Sequence, residues 1–296
     1  MILYFNNIYL YDDAANNIFN KFIPIKNKLY FSGYSPDNDG SELCSFDASN
    51  INNNIELVKD FNPGNPSHNL YDLININNEL FFTVYVGGVD QSLWKSDGTT
   101  AGTVQVKDMN PGGTNIYLFK SFANAHGTLL FSFYDDAHGY EIWKSDGTEA
   151  GTVMIKEINP GIYSAAISDI TYVAGTLTLF EATDGNNGIE LWRTDGTAAG
   201  TGMVKNINKT STSSSNPGWL KASADGSKLF CQATNNQNGN EMWVSDGSAS
   251  GTNLLKDILT GAFGSYPYYP VSLNNSTYFF AGIFIAQVYN RNAGAS

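Results

Sequence analysis

The sequence EIWKSDGTEAGTVMIKEINPG, residues 141–161, recurs along the chain, and the rest of the sequence consists of its copies and their connections. The closest copies are LWKSDGTTAGTVQVKDMNPG from Leu93, ELWRTDGTAAGTGMVKNIN from Glu190 and EMWVSDGSASGTNLLKDI from Glu241. A degenerate copy, ELCSFDASNINNNIELVKDFNPG, begins at Glu42. The chain is therefore built on an internal repeat.

The spacing of the repeat indicates its architecture. The motif tryptophans at positions 94, 143, 192 and 243 are separated by 49, 49 and 51 residues. Such a period is typical of a four-stranded propeller blade, which is about 40–50 residues long. Short apolar runs such as residues 129–134 and 177–180 alternate with turns rich in Gly, Asn and Asp, and no helical periodicity is present. The sequence predicts an all-β fold, a β-propeller of four-stranded blades.

The unit around Trp143 illustrates the predicted blade. Its four strands are expected at residues 116–122, 128–134, 140–144 and 152–158. The third and fourth strands are joined by SDGTEAGT, where Asp146 is expected to accept backbone hydrogen bonds and the glycines supply conformations that other residues resist. We expect Trp143 to pack in the core, with an acceptor for its indole N–H group.

Charged residues also repeat with the motif. Glutamates precede the third strand at positions 42, 141, 190 and 241, and lysines lie on the fourth strand at positions 59, 107, 156, 205 and 256. We expect the glutamates and lysines to pair across neighbouring strands, which would contribute roughly tenths of a kcal/mol per pair.

Residues 1–296 are expected to form a single propeller domain. The predicted repeats are residues 16–64, 65–114, 115–163, 164–213 and 214–262, and a composite blade combines residues 263–296 with residues 1–12. Because the last repeat lacks a fourth strand, the N-terminal strand is expected to complete it. This would close a ring of six blades and pair a sheet edge that is otherwise open. The alternative is a segment cut from a longer repeat array.

The strings ELWxSDGTxAGT and VxVKDxNPG resemble the bacterial ELWxxDGT repeat family. The resemblance covers residues 42–258 in five copies. Cys44 replaces the tryptophan of the first copy, which also lacks the SDGT turn, and Ser248 and Ser250 depart from the pattern in the last copy. The resemblance implies a β-propeller-like array in a secreted or cell-surface protein, hence an extracellular location, and it implies no catalytic residues.

Composition argues against several classes of function. The 28 acidic and 16 basic residues give a net charge of −12, which disfavours nucleic-acid binding. No apolar stretch approaches the roughly 18 residues needed to span a bilayer, so membrane insertion is not expected. The first residues lack the basic region of a signal peptide. Cys44 and Cys231 lie at different places in nonadjacent repeats, so no disulfide is expected, and two cysteines neither require nor exclude secretion.

The loops between the second and third strands are candidate calcium sites, because calcium binds six to eight oxygen ligands. The candidate ligands are Asp37, Asp39, Glu42, Asp135, Asp136, Glu141, Asp184 and Glu190. Hairpin turns rich in Asn and Asp explain the same pattern without a metal. No other cofactor is expected.

Aromatic residues near the junctions between repeats are candidate ligand-binding residues. They are Tyr117, Tyr163, Trp219, Tyr266, Tyr268 and Tyr269. Such side chains stack on sugar rings or anchor protein partners. The alternative is that they pack between blades.

The sequence predicts a noncatalytic binding or adhesion module of a bacterial secreted or cell-surface protein, with a glycan or a surface protein as its partner. No catalytic motif such as HExxH or CxxC is present, so the chain is not expected to be an enzyme. One alternative is a structural subunit of a larger extracellular assembly. The other is a glycan-active hydrolase.

Overall fold

The computed structural model describes residues 3–5, 8–10, 22–34, 41–47, 49, 55–61, 68–86, 90–109, 111, 119–209, 212–274, 276–282 and 285–290. Regular secondary structure in these ranges consists of β-strands alone. The predicted all-β class is therefore confirmed. Within the same ranges, no helix is long and apolar enough to cross a membrane.

The described strands form six antiparallel sheets that follow one another along the chain. The first sheet contains β1 (Leu3–Phe5), β2 (Ile8–Leu10), β3 (Ile23–Ile25), β4 (Lys28–Tyr34), β5 (Ser41–Asp47) and β6 (Glu56–Lys59). The second contains β7 (His68–Ile76), β8 (Glu79–Val86), β9 (Asp90–Ser96) and β10 (Val104–Asp108). The third contains β11 (Phe119–Ala125), β12 (Thr128–Asp135), β13 (Gly139–Ser145) and β14 (Val153–Lys156).

The remaining three sheets repeat the same order of strands. The fourth contains β15 (Ser168–Ala174), β16 (Leu177–Ala182), β17 (Glu190–Thr194) and β18 (Gly202–Lys205). The fifth contains β19 (Gly218–Ala222), β20 (Leu229–Asn235), β21 (Gly239–Ser245) and β22 (Asn253–Lys256). The sixth contains β23 (Tyr268–Leu273), β24 (Ser276–Ala281) and β25 (Ile285–Asn290). A succession of antiparallel four-stranded sheets is propeller-like.

The N-terminal strands do not lie where the sequence analysis placed them. β1 and β2 form a hairpin, and β2 pairs with β4 of the first sheet through Tyr9 and Tyr34. The sixth sheet has three strands among the described residues. The predicted completion of the last blade by the N-terminal strand is therefore wrong, and a ring of six blades is not confirmed. Local pairing is favoured because closing a short loop loses less chain entropy than closing one that spans nearly the whole sequence.

The chain divides into two compact units. The first comprises Met1–Phe119, Gly127–Leu129 and Ser145–Thr152, and the second comprises Lys120–His126, Leu130–Lys144 and Val153–Ser296. The boundary passes through the third sheet. The assignment of residues 1–296 to one domain stays a prediction.

Two of the repeated tryptophans are core residues, as predicted, whereas Trp94 and Trp143 are partly buried. Trp192 and Trp243 are each 6% exposed and belong to separate hydrophobic clusters in the second unit. In the first unit, Trp94 packs edge-on against Phe61 with ring centroids 5.1 Å apart. Burying a large aromatic ring removes roughly 150–250 Å² from water, which is worth about 4–6 kcal/mol.

The expected acceptor for the indole N–H group is not found. The Nε1 atoms of Trp143, Trp192 and Trp243 are buried and have no hydrogen-bond partner among the described residues. Apolar packing sets the ring orientation, since Phe133 meets the Trp143 ring edge-on at 5.5 Å between centroids. An unpaired buried N–H costs about 1–3 kcal/mol, which is less than the gain from burying the ring.

The SDGT turn has the architecture that the sequence predicts. Asp195 accepts hydrogen bonds at Oδ1 from the backbone N–H of Thr197 at 2.9 Å and from its hydroxyl at 2.7 Å. The buried hydroxyls of Thr194 and Thr201 bond at 2.7 Å across the turn. A Cβ on Gly200 would lie far inside van der Waals contact with the Asp195 carboxyl group. The same arrangement recurs around Asp97, Asp146 and Asp246.

The repeated lysines do not pair with the repeated glutamates in the described contacts. The ammonium of Lys107 donates to the carbonyl of Thr152 at 2.9 Å, and that of Lys156 donates to the carbonyl of Thr201 at 2.7 Å. Lys205 donates to the carbonyl of Thr252 in the same way. These lysines thus tie the fourth strand of one repeat to the SDGT turn of the next. The predicted ladder is wrong because the glutamates are buried and accept other donors, as described below.

Replacing Gly200 by alanine tests the packing of the SDGT turn. The added Cβ must displace the Asp195 carboxyl group, so we expect G200A to lower the free energy of unfolding by about 2 kcal/mol. Urea unfolding followed by tryptophan fluorescence measures the change.

Gly202 provides the matched control, because a Cβ there meets nothing within 4 Å. We expect G202A to change stability by less than about 0.5 kcal/mol. In a D195A background the penalty of G200A should fall below about 1 kcal/mol, and an unchanged penalty would contradict the proposed clash.

Candidate functional site

The first strand of five consecutive sheets carries a residue in the left-handed backbone region. These residues have φ between 51° and 59°, and they are Asp72, Ser121, Asp169, Trp219 and Tyr269. Pairing with the second strand shifts register at these positions in β7, β15, β19 and β23. In these four strands the position is a β-bulge, which re-aims side chains locally. The bulges cannot be recognised in the sequence, because the residue type at the position varies from repeat to repeat.

Three of these bulges line one groove in the second unit. Equivalent triplets of β15, β19 and β23, residues 169–171, 219–221 and 269–271, enclose a cavity of about 400 Å³. This volume lies within the roughly 300–1,000 Å³ range of small-ligand pockets. We call it the bulge groove.

One wall of the bulge groove is aromatic. The rings of Trp219 and Tyr269 lie 4.5 Å apart between centroids at an interplanar angle of 58°. Tyr268 contacts Tyr269 at 5.3 Å and stacks on Phe280 at 5.5 Å. Trp219, Tyr269 and Phe280 remain 41%, 57% and 51% exposed. Contiguous exposed aromatic surface of this kind is typical of an interaction site.

The backbone of this wall is strained. Trp219 and Tyr269 have φ of 56° and 52°, which is unusual for bulky side chains. Holding a residue in a sparsely populated backbone conformation costs about 1–3 kcal/mol, and such residues cluster at functional sites. The wall therefore combines strain with solvent exposure.

Asp169 is the one carboxylate in the groove lining, and Glu181 lies near it outside that lining. Asp169 is exposed at the β15 bulge, and the half-buried Glu181 lies on β16 with Ser168 as its strand partner. Burial raises the pKa of Glu181 to about 7, and the nearby charge of Asp169 raises it further, whereas a hydrogen bond from Ser168 opposes this shift. Lys221 is the basic residue of the lining.

The structure brings together three of the six predicted aromatic ligand residues, namely Trp219, Tyr268 and Tyr269. Tyr266 is 65% exposed just before β23, and its backbone N–H donates to the carbonyl of Asn240. Tyr163 is 67% exposed in the loop between β14 and β15, away from the groove lining. Tyr117 lies outside the described residues.

The predicted calcium ligands divide into two groups. In the loops, Asp135 accepts the backbone N–H groups of Ala137 and His138, and Asp184 accepts those of Asn186 and Asn187. This is the geometry of Asx turns. Asp136 is exposed beside Asp135, and Asp37 and Asp39 lie outside the described residues.

The glutamates among these candidates are buried, with Glu42 1% exposed and Glu141 and Glu190 fully buried. Glu42 accepts the N–H of Phe61 at 2.9 Å. Within the described ranges, no group of three or more His, Cys, Asp or Glu side chains is arranged to hold a metal ion. The calcium site stays a prediction.

Where a buried glutamate is present, it links the third strand to the junction that follows the fourth strand. Glu190 accepts the backbone N–H of Ile207 at 2.9 Å and both the N–H and hydroxyl of Ser215, at 3.2 and 2.6 Å. Glu241 likewise accepts from Leu259 and Ser265. Burial raises the pKa of Glu190, and the donated hydrogen bonds oppose this rise.

Glu141 shows the same arrangement in the third sheet. It accepts the backbone N–H groups of Ile158 and Asn159 at 2.7 and 2.9 Å. Burial raises the pKa of this carboxyl to about 7 despite these donors. The repetition of such contacts in successive sheets makes them structural, and it explains the repeated glutamate without a ligand.

A second cavity of about 320 Å³ lies in the same unit and is lined largely by amide side chains, including Asn208, Asn235, Asn236 and Gln237. The Oδ1 atom of Asn208 is buried without a hydrogen-bond partner among the described residues. The ammonium of Lys205 is held by the Thr252 carbonyl. This cavity lacks the exposed aromatic wall of the bulge groove, so the bulge groove is the better candidate.

Replacing Glu190 by alanine tests the buried acceptor. The variant leaves the N–H groups of Ile207 and Ser215 without their carboxylate acceptor, and each unsatisfied buried donor costs about 1–3 kcal/mol. We expect E190A to lower the free energy of unfolding by about 3 kcal/mol or more, and to accelerate amide hydrogen exchange at Ile207 and Ser215. The exposed Glu149 is the control, and E149A should change stability by less than about 0.5 kcal/mol. Unchanged exchange at both amides would contradict the role of Glu190.

No protein-family model matches the chain, and no curated protein matches it. Solved structures do resemble it. Oligopeptidase B from Leishmania major aligns with 91% of this chain and 39% of its own, at 10% identity and a TM-score of 0.54. Prolyl oligopeptidase B from Galerina marginata, bound to a 35mer hydrolysis and macrocyclization substrate, aligns with 88% of this chain and 37% of its own, at 11% identity and 0.52. A puromycin-hydrolyzing peptidase of Mycobacterium tuberculosis aligns with 90% of this chain and 42% of its own, at 11% identity and 0.52.

The part of these peptidases that resembles the chain is their propeller domain, and at such low identity the similarity shows the fold alone. The chain spans about two fifths of the length of each of these three proteins. These similarities do not support the noncatalytic adhesion module predicted from the sequence, so that prediction is wrong. They also do not support the two alternatives, the structural subunit of an assembly and the glycan-active hydrolase. The propeller-like all-β fold is what the chain shares with them.

Proposed function

We propose that this chain is the polypeptide-binding, propeller-type part of a peptide-processing protein, and that the bulge groove binds an extended polypeptide segment. The observation that carries the proposal is the exposed aromatic wall of Trp219 and Tyr269, held at two strained bulges. In this proposal the groove binds its ligand, and catalysis belongs to another domain.

The chemistry of the wall suits an extended polypeptide. Aromatic-lined grooves dock segments in the polyproline II conformation, whose ordering costs little entropy because it is already populated in unfolded chains. Tyr and Trp present rigid rings together with a polar group that accepts or donates a hydrogen bond. The rings of Trp219 and Tyr269 are tilted against each other, and we propose that a proline or an apolar side chain of the ligand packs against them.

The similar structures supply context for this ligand class. The Galerina marginata enzyme was solved with a 35mer substrate, and each of the three is described as a peptidase. Because the chain matches about two fifths of their length, a peptide-processing activity of the whole protein is part of the proposal. The resemblance to the ELWxxDGT repeats adds an extracellular setting, so we propose a polypeptide met outside the cell. We further propose that each of the six sheets is one blade.

Removing the aromatic wall tests the proposal. We expect a fluorescein-labelled proline-rich peptide to bind the purified chain saturably, as measured by fluorescence anisotropy. The W219A and Y269A variants should each weaken binding at least tenfold, about 1.4 kcal/mol, because each loses a stacking surface.

The matched controls are Y163A and F263A, which remove exposed aromatic side chains that do not line the groove. They should leave the affinity within twofold, and thermal unfolding should verify that every variant folds. Equal affinity of W219A, Y269A and the unmodified chain, or no peptide binding at all, would refute the proposed function.

A further inference from the structure

The second cavity of the second unit, which we call the amide cavity, has a positively charged lining. Its volume is about 320 Å³, and it lies where β18 and the junction after it meet the fifth sheet. The charged residues of the lining are Lys205 and Lys209, and no carboxylate among the described residues belongs to it. We propose that this cavity binds a small carboxylate ligand with a neighbouring N–H group. The proposal does not depend on the function of the bulge groove.

Amide side chains supply directional hydrogen-bonding groups to the amide cavity. They are Asn208, Asn235, Asn236, Gln237 and Asn253. The Nδ2 group of Asn208 donates to the carbonyl of Ser214 at 3.2 Å, whereas its Oδ1 atom is buried and has no hydrogen-bond partner among the described residues. An amide oxygen accepts hydrogen bonds, and leaving it unsatisfied in the core is unfavourable. An N–H group of the ligand would supply the missing donor.

The two ammonium groups provide the attraction for a carboxylate. Lys209 is exposed, and Lys205 donates to the carbonyl of Thr252 while keeping further N–H groups for a ligand. Two carboxylates outside the lining already accept other donors. Asp257 accepts the side-chain amide of Asn238 at 2.8 Å, and Glu190 accepts backbone N–H groups as described above. The lysines are therefore the charged residues that line the cavity.

The loop of the preceding sheet offers an internal comparison. Asn235 accepts the backbone N–H groups of Gln237 and Asn238, and Asp184 makes the same Asx-turn contacts in the fourth sheet. Asp135 does so in the third sheet. Because aspartate forms this turn equally well, the turn itself does not require the uncharged residue of the fifth sheet.

The junction changes in the same direction as the loop. Asn159 corresponds to Asn208, since each donates from Nδ2 to a serine carbonyl before the next first strand. Pro160 follows Asn159, whereas Lys209 follows Asn208. The fifth sheet thus replaces a carboxylate by an amide and a proline by a lysine at one site. Both changes make the lining more positive, in a chain whose net charge is −12, and both favour an anionic ligand.

Three small probes test the class of ligand. N-acetylglycine has a carboxylate and an adjacent N–H group, its N-methylamide lacks the charge, and acetate lacks the N–H group. Two-dimensional ¹H–¹⁵N NMR of the whole chain follows the indole signal of Trp243 and the side-chain amide signal of Asn235, which both line the cavity. We expect N-acetylglycine to bind saturably, at least about tenfold more tightly than either other probe, because charge-assisted hydrogen bonds are the stronger ones.

Variants place the binding in the amide cavity. N235D introduces the carboxylate that the third and fourth sheets carry, so it should keep the turn and weaken binding of N-acetylglycine at least about tenfold. K209Q should weaken it about fivefold, and K209R should restore it to within about twofold, since arginine keeps the charge. The matched control is K221Q, which removes a lysine of the bulge groove and should leave the affinity within about twofold. Thermal unfolding verifies that each variant folds.

A pair of peptides of about ten residues identifies the source of the carboxylate. Both end in glycine, one with a free carboxylate and the other with a C-terminal amide. Shifts of the same signals by the free-acid peptide alone would support the proposal and assign the C-terminal residue of a polypeptide as the ligand. Binding of N-acetylglycine without either peptide would support it with a free small carboxylate as the ligand.

Several results would overturn the proposal. Equal affinities for N-acetylglycine and its N-methylamide would exclude recognition of the carboxylate, and equal affinities for N-acetylglycine and acetate would exclude recognition of the N–H group. Undiminished binding to a folded N235D variant would exclude the amide cavity as the site, and so would an absence of shifts with all of the probes. None of these results bears on the bulge groove, which is tested through Trp219 and Tyr269.

Discussion

The buried glutamate near the start of the third strand in four of the six described sheets is the constraint on which the path between these sheets depends. Glu190 accepts the amide of Ile207, which follows the fourth strand, and the amide and hydroxyl of Ser215, which precedes the next first strand. Glu241 makes the equivalent contacts with Leu259 and Ser265. One side chain thus fixes the path from one sheet to the next. Four residues beyond these two serines lie Trp219 and Tyr269, so the same contacts set where the aromatic wall stands.

Placing a carboxylate in the core is unfavourable unless its oxygens are hydrogen-bonded. Removing an ion from water costs several kcal/mol even after the protein relaxes, and hydrogen bonds to a charged acceptor each return roughly 1.5–3 kcal/mol. Two or three donors therefore come close to balancing the cost. The incomplete balance is visible in the pKa of Glu141, which burial raises to about 7. The net gain in stability is small, and the gain in a defined chain path is large.

The hydrogen-bonded scaffold holds strained backbone conformations in the bulge groove. Trp219 and Tyr269 hold a backbone conformation that bulky residues avoid, at a cost of about 1 kcal/mol or more for each. The flanking strand pairs and the glutamate contacts over-determine their position, so the strain persists. The same bulge position holds aspartate, serine, tryptophan or tyrosine in different repeats, so the scaffold tolerates any of these residue types there. The repeats share the geometry, and the residue at the bulge gives each one its own chemistry.

The sequence by itself determined the repeat, the all-β class, the architecture of the SDGT turns and the burial of the tryptophans. These features follow from local physics, because period, turn chemistry and apolar content act within about 50 residues. It also singled out Trp219, Tyr268 and Tyr269 among six candidates, since aromatic residues close to Pro and Gly near the junctions between repeats are visible without a structure.

Only the tertiary structure decided which residues meet. In the structure the N-terminal strands pair with the first sheet, and the lysines donate hydrogen bonds to Thr carbonyls of the next repeat. The glutamates are buried and accept hydrogen bonds from backbone amides. The structure also revealed the bulges and placed Glu181 beside Asp169. A residue pattern records which groups recur, but the partner of each group depends on the spatial arrangement of segments that are far apart in the sequence.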